Sequence, residues 1–416
     1  MKKTNLKNTP SLSGNLSKDI LENIAQTFKT PLYVYDFDRI ERFFNQFKDA
    51  FAGRKSLICY ALKANSNLSV IKKLASLESG ADCVSIGEIK RALLAGIPKY
   101  KIIYSGVGKR DDEIKEALKL GILFINVESS SELKRVEKIA EILEVSARIS
   151  IRVNPNINPQ THAYISTGLK ENKFGVSIEE AKEMYLYAQK SKFLEPIGIH
   201  FHIGSQLTKL QPIADSTQKI VALLHSLLAL KIDIKFFDIG GGIGITYDDE
   251  TTINPYDYAQ CILDSLRGLD VTIICEPGRY LVGNSGVFLT RVLYEKQNEG
   301  KRFVIVDGAM NDLIRPSLYT AFHKIEAFRG KNVSNADVVG PVCESGDYFA
   351  KDIPLPSLEH GDLLAIMSAG AYGFSMSSNY NTRGKCAEIA IEKGNARMIR
   401  KRESFEDIIA LEKDFL

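Results

Sequence analysis

A regular alternation of short apolar runs with longer amphipathic stretches fills residues 57–275 and is the feature that most constrains the fold. The apolar runs are four to seven residues long, and most are rich in Ile, Val and Phe, as is typical of buried parallel strands. The eight predicted strands are Leu57–Leu62, Ala81–Ser85, Ile102–Ser105, Phe124–Val127, Ile149–Val153, Ile197–Ile203, Phe236–Ile239 and Val271–Cys275.

Seven amphipathic stretches separate these strands, and this order indicates an α/β structure. Eight strands alternating with helices are what a (β/α)8 TIM-type barrel requires, whereas a doubly wound open sheet of this size would seldom lack a switch-point fingerprint. Ser85 and Glu88 have the spacing of a capping box. The predicted helices are Leu68–Leu77, Ile86–Leu94, Glu113–Leu120, Ser131–Leu143, Ile178–Gln189, Ile213–Leu230 and Tyr256–Leu266.

The sequence pattern changes after Gly278, where short strands are separated by turns and few helical stretches occur. We therefore expect a barrel domain over residues 36–280 and a second, mostly β C-terminal domain over residues 281–416. The amino-terminal segment 1–35, which ends in a β-rich run, is expected to join the second domain. The strands predicted in that domain are Val287–Leu293, Arg302–Val306, Val338–Cys343, Leu363–Met367 and Glu388–Ile391.

Composition and charge disfavour several classes of partner. The formal net charge is +3, and basic residues are scattered among acidic ones, so a small-molecule substrate is favoured over nucleic acid or an anionic membrane. The six cysteines are far apart and form no CxxC pair, which is typical of a protein of the reducing cytoplasm. Residues 1–18 contain no apolar core segment, so we expect neither a secretory signal nor a membrane anchor there.

One lysine follows the first predicted strand directly. At the mouth of a barrel, partial loss of water around an ammonium group lowers the pKa of a lysine, and the neutral amine can then attack an aldehyde. Lys63 is therefore a candidate for Schiff-base chemistry. The alternative is a lysine that only solvates the surface.

Two histidines, His200 and His202, are two residues apart on one predicted strand, so both side chains should face into the barrel mouth. A metal pair is conceivable, but no third ligand follows at a recognisable spacing, and we expect no metal. For His200 the alternative is a core histidine bonded to the backbone. For His202, the last inward-facing residue before Gly204, we expect stacking on a planar aromatic cofactor.

Glycines and charged residues end the seventh and eighth predicted strands. Gly240, Gly241 and Gly242 match no dinucleotide or nucleoside triphosphate loop, yet consecutive glycines let backbone N–H groups converge on an anion. The loops after these strands are the usual phosphate site of such a barrel, and a tight turn is the alternative. Glu276 could hold a heterocyclic nitrogen protonated and Arg279 could bind a carboxylate, unless both form an exposed ion pair.

Four strand ends thus offer an amine, a flat ring partner, a phosphate cradle and a counterion for a ring nitrogen, which pyridoxal 5′-phosphate requires. The motifs resemble those of the barrel-type pyridoxal-phosphate decarboxylases and, within them, the diaminopimelate decarboxylase family. The resemblance runs in the expected order from about residue 30 to about residue 390. The motifs are Tyr60–Asn65, His202–Gln206, Gly240–Gly242, Glu276–Tyr280, Asp307–Tyr319, Cys343–Asp347 and Gly370–Gly373.

The resemblance implies how the cofactor is held. Lys63 would form the Schiff base with it, His202 would stack on its ring, and Glu276 would pair with its pyridine nitrogen. The further cofactor contacts that the resemblance implies are Ser205, Gly241, Gly242, Gly278, Arg279 and Tyr372.

The resemblance also implies the residues that act on the substrate. Lys63, His202 and Cys343 would be catalytic, with Cys343 the proton donor. Cys343 and Glu344 would come from the second subunit of a homodimer. The implied substrate-binding residues are Arg279, Arg315, Tyr319, Glu344 and Tyr372.

The implied reaction is the decarboxylation of meso-2,6-diaminopimelate to L-lysine and carbon dioxide, the last step of lysine biosynthesis. Decarboxylases of ornithine, arginine or carboxynorspermidine remain an alternative, although arginines suit a substrate with a second carboxylate. A racemase would do better with an arginine in the place of Glu276. A non-catalytic pyridoxal-phosphate-binding protein would usually lack the β domain and the cysteine.

Overall fold

The structure is a computed structural model that describes residues 10–158 and 172–416. The part of the polar amino-terminal stretch before residue 10 lies outside the described residues. None of the helices within the described ranges has both the length and the apolarity needed to cross a membrane.

The chain divides into two compact units, which we call the barrel unit and the sheet unit. The barrel unit contains Glu41–Gly244 and Thr252–Tyr280. The sheet unit contains the chain up to Ile40, Ile245–Thr251 and Leu281–Leu416.

The described chain begins with two helices that flank a buried strand. These elements are α1 (Lys18–Phe28), β1 (Leu32–Asp36) and α2 (Phe37–Ala50). Helix α1 buries an apolar face that includes Leu21 and Ile24, three residues apart as one helix face requires. All five residues of β1 are buried.

The barrel unit is built on eight parallel strands. They are β2 (Ser56–Ala61), β3 (Gly80–Cys83), β4 (Ile102–Tyr104), β5 (Phe124–Val127), β6 (Ala147–Arg152), β7 (Leu194–His200), β8 (Phe236–Asp238) and β9 (Thr272–Cys275). Each strand pairs with the next along the chain, and β9 pairs with β2 to close the barrel. Cys59, Ile103 and Ile274 are fully buried in its hydrophobic core. The predicted barrel is therefore confirmed.

Helices of the described chain separate these strands as predicted. They are α3 (Leu68–Ser76), α4 (Ile86–Leu94), α5 (Asp111–Leu120), α6 (Ser130–Leu143), α7 (Ile178–Lys190), α8 (Gln211–Ala229) and α9 (Pro255–Ser265). Ser85 caps α4 by accepting a hydrogen bond from the Glu88 N–H at 3.2 Å. The Glu88 carboxylate accepts from the N–H of Val84, one residue before the cap, at 2.7 Å.

Six of the eight barrel strands end one to three residues earlier than predicted. The largest difference is in β7, which ends at His200 and not at Ile203. The apolar pattern continues past the end of β7 because residues such as Phe201 and Ile203 remain buried in the loop that follows. The strands therefore deliver fewer residues to the rim, and the loops deliver more.

The sheet unit contains a nine-stranded mixed sheet. Strand β1 lies between β10 (Gly286–Asn298) and β16 (Ala387–Glu392), antiparallel to the first and parallel to the second. Its core includes Val34 and Val287, both fully buried. The other elements from residue 279 onward are α10 (Arg279–Val282), β11 (Lys301–Val306), α11 (Arg315–Tyr319), β12 (Ile325–Ala327), β13 (Ser334–Val339), β14 (Tyr348–Leu355), β15 (Leu363–Ile366), β17 (Asn395–Arg400) and α12 (Phe405–Ile409).

The predicted strand Val338–Cys343 is wrong at its carboxyl end. Strand β13 stops at Val339, and a turn follows in which Asp347 accepts a hydrogen bond from the Val342 N–H at 2.7 Å. Cys343 is therefore an exposed turn residue and not part of a strand.

Candidate active site

Lys63 lies where the first barrel strand ends. Strand β2 stops at Ala61, and a short 3-10 turn over Leu62–Ala64 carries the lysine. Its Nζ atom lies 3.1 Å from Oδ2 of Asp82, whose side chain is fully buried. Burial and the Glu276 carboxylate raise the pKa of Asp82, and the Lys63 charge opposes that rise. The structure thus places an amine beside a buried acid at the rim of the barrel.

His202 binds the glycine loop from outside any strand. Its Nδ1 accepts a hydrogen bond from the Gly241 N–H at 3.2 Å, and this bond holds the ring in place. Burial lowers the pKa of His202, and the positive charges of Arg152 and Lys63 lower it further. The imidazole is therefore favoured in its neutral form. The prediction that His200 and His202 share one strand is wrong, because β7 ends between them.

His200 lies instead in a buried cluster with two acids. Its Nε2 is 3.6 Å from Oε2 of Glu276, and one ligand atom each of His200, Asp238 and Glu276 lie within 4.8 Å of one another. In the described chain neither ring nitrogen has a hydrogen-bond partner, so the core histidine bonded to backbone is not what is observed. Such a cluster has the chemistry to share protons or to hold a metal ion.

Opposing influences set the charges of this cluster. Burial alone would raise the pKa of Glu276, but His200 and Lys63 outweigh it and lower that pKa to about 2. Burial and the Glu276 charge raise the pKa of Asp238 well above its usual range. Glu276 is therefore favoured as the carboxylate and Asp238 as the protonated acid.

The glycines let three loops of the barrel unit approach closely. A Cβ atom on Gly241 would lie 2.1 Å from the Glu276 carbonyl oxygen, and one on Gly242 would lie 2.2 Å from that of Gly204. Gly242 also has a φ of +106°, which favours glycine. The Gly240 N–H donates to Asp238 Oδ1 at 2.9 Å, so the amides of this loop help to hold the site's own side chains.

A second pair of polar groups suits an anion. Arg279, the first residue of α10, donates from Nη2 to the Ser205 hydroxyl at 3.0 Å, and its side chain is buried. Gly278 packs against the lysine turn, because a Cβ there would lie 3.1 Å from the Cβ atoms of Ala61 and Ala64. Lys63, Ser205 and Arg279 thus belong to adjoining loops of the barrel unit.

The remaining predicted site residues all lie in the sheet unit. Arg315 is buried at the start of α11, and Tyr319 is half-buried at its end. Glu344 accepts a hydrogen bond from the Tyr380 hydroxyl at 2.9 Å. Tyr372 has a φ of +56°, an uncommon conformation for a large residue that is often found at functional sites.

The barrel unit fits pyridoxal 5′-phosphate by its set of donors and acceptors. Lys63 offers an amine for the aldehyde, and His202 offers a neutral flat ring. Glu276 offers a carboxylate whose Oε1 has no partner among the described residues, which suits a protonated ring nitrogen. The Arg279 guanidinium and the Ser205 hydroxyl offer donors for a phosphate.

Sequence reasoning missed three side chains of this site, Asp82, Asp238 and Arg152. The first two are acids inside short apolar strands, a pattern that already indicates a paired or functional group. Arg152 ends β6 and donates to Glu128 at 3.0 Å, and its charge acts on His202. No local motif distinguishes Arg152 from other arginines of the chain.

Comparison with known proteins agrees with this arrangement. Residues 37–283 match the family described as pyridoxal-dependent decarboxylase, pyridoxal binding domain. Diaminopimelate decarboxylase of Helicobacter pylori is 61% identical over 398 residues, covering 95% of this chain and 98% of that protein. The same enzyme of Campylobacter jejuni subsp. jejuni is 58% identical over 397 residues, covering 95% and 99%.

Solved structures agree as well. The crystal structure of diaminopimelate decarboxylase from Helicobacter pylori complexed with L-lysine matches with a TM-score of 0.93 and 61% identity, covering 95% of this chain and 100% of that one. The crystal structure of the enzyme from M. jannaschii in complex with L-lysine matches with a TM-score of 0.89 and 37% identity, covering 94% and 93%. The chain therefore belongs to the diaminopimelate decarboxylase family of the pyridoxal-dependent decarboxylases.

Proposed function

We propose that the protein decarboxylates meso-2,6-diaminopimelate to L-lysine and carbon dioxide with pyridoxal 5′-phosphate as cofactor. One observation supports this beyond family membership. An amine, a neutral imidazole and an ionised acid follow the carboxyl ends of β2, β7 and β9 in one closed barrel. Active sites of such barrels are built at this end of the strands.

The cofactor supplies the electron-withdrawing chemistry, and residues of the chain bind it and set its protonation state. When bound, pyridoxal 5′-phosphate supplies an aldehyde that takes up an amine and a ring that withdraws electrons from the bond to the departing carboxylate. We propose that Lys63 provides the amine that holds the aldehyde, with Asp82 binding the charged form of that amine. Glu276, kept ionised by His200, would hold a proton on the ring nitrogen.

His202 and the anion-binding pair would fix the orientation of the bound molecule. A neutral imidazole with Nδ1 engaged by the Gly241 amide presents a flat ring in one orientation. Ser205 and Arg279, together with Gly241, Gly242 and Gly278, are proposed to hold the phosphate. In the sheet unit, Tyr372 is proposed to contact both cofactor and substrate.

The sheet unit is proposed to bind the end of the substrate that keeps its carboxylate. Arg315 and Tyr319 offer a guanidinium and a phenol hydroxyl, and a planar guanidinium binds a carboxylate through two parallel hydrogen bonds. The alternative substrates ornithine and arginine have only one carboxylate, which the reaction removes. They would therefore leave Arg315 without a carboxylate to bind.

We also propose a homodimer in which Cys343 and Glu344 complete the site of the partner subunit. Cys343 would donate a proton to the carbon that has lost its carboxylate. In support, Cys343 is exposed, and the apolar side chains Leu318 and Phe322 of the same sheet unit are each 45% exposed. Exposed apolar groups of this kind are common at protein interfaces.

Two further proposals concern organisation and location. The barrel unit and the sheet unit are proposed to correspond to the domains 36–280 and 281–416, the latter joined by segment 1–35. A reducing cytoplasm is proposed from the six cysteines, which are all free thiols.

The assay is the release of L-lysine and carbon dioxide in equal amounts from meso-diaminopimelate, compared with ornithine, arginine and carboxynorspermidine. Borohydride reduction should attach the cofactor to the peptide that contains Lys63. Lys63→Ala should abolish both attachment and turnover, whereas Lys55→Ala, which removes a surface pair with Asp270 at 2.9 Å, should change neither. Faster turnover of another amino acid would contradict the proposed substrate.

Subunit sharing is tested by mixing. Lys63→Ala and Cys343→Ala proteins, each inactive, should regain up to about a quarter of the wild-type activity when unfolded and refolded together, because random pairing leaves one complete site in half of the dimers. Mixtures as inactive as the separate variants would contradict sharing.

A further inference from the structure

We propose that His323 is a positioning residue that holds the Arg315 guanidinium in the orientation needed to bind the retained carboxylate of the substrate. The inference rests on the proposed function. It identifies the residue that orients Arg315, the group proposed to bind the substrate carboxylate. His323 lies outside all the motifs on which the family resemblance rests.

The three side chains involved lie in the sheet unit and are buried. His323 is 2% exposed, Arg315 is 7% exposed and Tyr247 is 5% exposed. An Arg315 Nη1 atom lies 2.7 Å from Nε2 of His323, and Nδ1 of His323 lies 2.8 Å from the carbonyl oxygen of Met367. The histidine thus connects the guanidinium to the backbone at the end of β15.

The two hydrogen-bond partners of His323 determine which tautomer of its imidazole fits. A guanidinium can only donate a hydrogen bond, and a carbonyl oxygen can only accept one. His323 satisfies both only as the neutral tautomer with its proton on Nδ1, so that Nε2 accepts from Arg315. A charged imidazole would direct an N–H group at the N–H of arginine, and two positive charges would adjoin in a buried site.

Tyr247 completes the support from a different segment of the chain. The Arg315 guanidinium lies over its ring, with Cζ 4.7 Å from the ring centre, and the ring of His323 meets it edge to face at 5.3 Å. Such cation–π and edge-to-face contacts restrict where a planar cation can lie. The hydrogen bond to His323 and the ring face of Tyr247 therefore both restrict the plane of the Arg315 guanidinium.

A fixed plane is useful because bidentate carboxylate binding is directional. A flexible arginine loses rotamer freedom when it binds, and prior orientation removes that cost from each binding event. The oriented group would favour substrates that carry a carboxylate at the distal end over those that carry only an amine there.

The experiment compares ligand binding to the purified holoenzyme by calorimetry. L-Lysine carries the retained carboxylate, and 1,5-diaminopentane is the same molecule without it. We expect His323→Ala to weaken L-lysine binding about tenfold and to raise KM for meso-diaminopimelate more than it lowers kcat, because a charge-assisted hydrogen bond is lost. Binding of 1,5-diaminopentane should be unchanged.

Two comparison variants separate positioning from general structure. His323→Gln keeps an acceptor and a donor on neighbouring atoms and should restore most of the affinity. His360→Ala is the matched control, because His360 also directs Nδ1 to a carbonyl, that of Leu293 at 2.9 Å, and packs on a tyrosine, Tyr294. It should bind L-lysine as the wild type does.

A double-mutant cycle makes the inference refutable even if His323→Ala loses stability. In an Arg315→Ala background, removing His323 should cause no further loss of L-lysine affinity, since the histidine acts through the arginine. Equal losses with and without Arg315, or unchanged affinity in His323→Ala, would overturn the inference. If Arg315→Ala itself binds L-lysine normally, the proposed role of Arg315 fails instead.

Discussion

Replacing Gly241 by alanine tests how closely the loops of the barrel unit control its chemistry. The added Cβ would lie 2.1 Å from the carbonyl oxygen of Glu276, and Cβ atoms in proteins essentially never come within 3.0 Å of a neighbour. The carbonyl, or the glycine loop, must therefore move by about 0.9 Å. This atom belongs to the backbone, so no side-chain rotation can relieve the contact.

The movement has two consequences that can be estimated separately. Overpacking of a tight site costs about 1–3 kcal/mol of unfolding free energy. The same movement displaces Glu276 and the Gly241 amide that bonds to His202, and a misplacement of about 1 Å can reduce catalysis about 100-fold. We therefore expect a modest loss of stability with a large loss of kcat/KM and of affinity for pyridoxal 5′-phosphate.

Gly108→Ala is the matched control for this experiment. A Cβ on Gly108 would meet no atom within 4 Å, and neither glycine has a positive φ, so both variants share the same backbone effect. Urea unfolding measures stability, and titration of the cofactor-free protein with pyridoxal 5′-phosphate, followed by visible absorbance, measures affinity. If Gly241→Ala binds the cofactor as tightly as Gly108→Ala, the close approach does not control the site.

Two further outcomes follow from buried groups of the barrel unit. Burial raises the pKa of Glu88 to about 7 from 4.5, so its contribution to stability is complete below about pH 4.5 and is lost as the pH rises through about 7. As the pH rises from 5 to 8, the Glu88→Gln variant should therefore gain stability relative to the wild type, by at most about 3 kcal/mol in urea unfolding. A stability difference that does not change with pH would contradict this. Tyr185→Phe should lower the free energy of unfolding by about 1 kcal/mol, because the buried Gly198 carbonyl loses the hydroxyl that donates to it at 2.6 Å. Tyr187→Phe removes an exposed hydroxyl and should change stability little. Equal effects of the two substitutions would refute the role of burial.

The alternation of apolar runs was sufficient to predict the barrel, because each strand and each helix carries its own local pattern. Strands β12, β14 and β17 of the sheet unit were missed, since β17 is largely exposed and β12 has only three half-buried residues. An apolar pattern cannot identify a strand that buries little. The sheet register likewise depends on partners distant in sequence, such as the pairing of β1 with β16.

The places of Lys63 and Glu276 at the ends of barrel strands were predictable from the sequence, because each follows an apolar run directly. Their acidic neighbours Asp82 and Asp238 were not, because both approach from other strands and no local motif marks either of them. The spacing of His200 and His202 predicted that both lie on one strand. Strand β7 instead ends at His200, because the end of a strand depends on backbone pairing with its neighbours and not on residue spacing.

Several buried polar atoms of the barrel unit lower the stability of the fold and belong to, or lie next to, its candidate active site. Ser150 Oγ, both nitrogens of His200, Asp238 Oδ2 and Glu276 Oε1 are buried on or next to its strands without a hydrogen-bond partner among the described residues. Each such atom costs about 1–3 kcal/mol, and apolar residues of similar size would remove that cost. His200 and Lys63 lower the pKa of Glu276 and keep it ionised, so an apolar residue at position 200 should weaken the acid and leave it buried without its nearest basic neighbour. Stability and chemistry therefore make opposite demands on the same strand ends, and a barrel optimised for stability alone would not retain these residues.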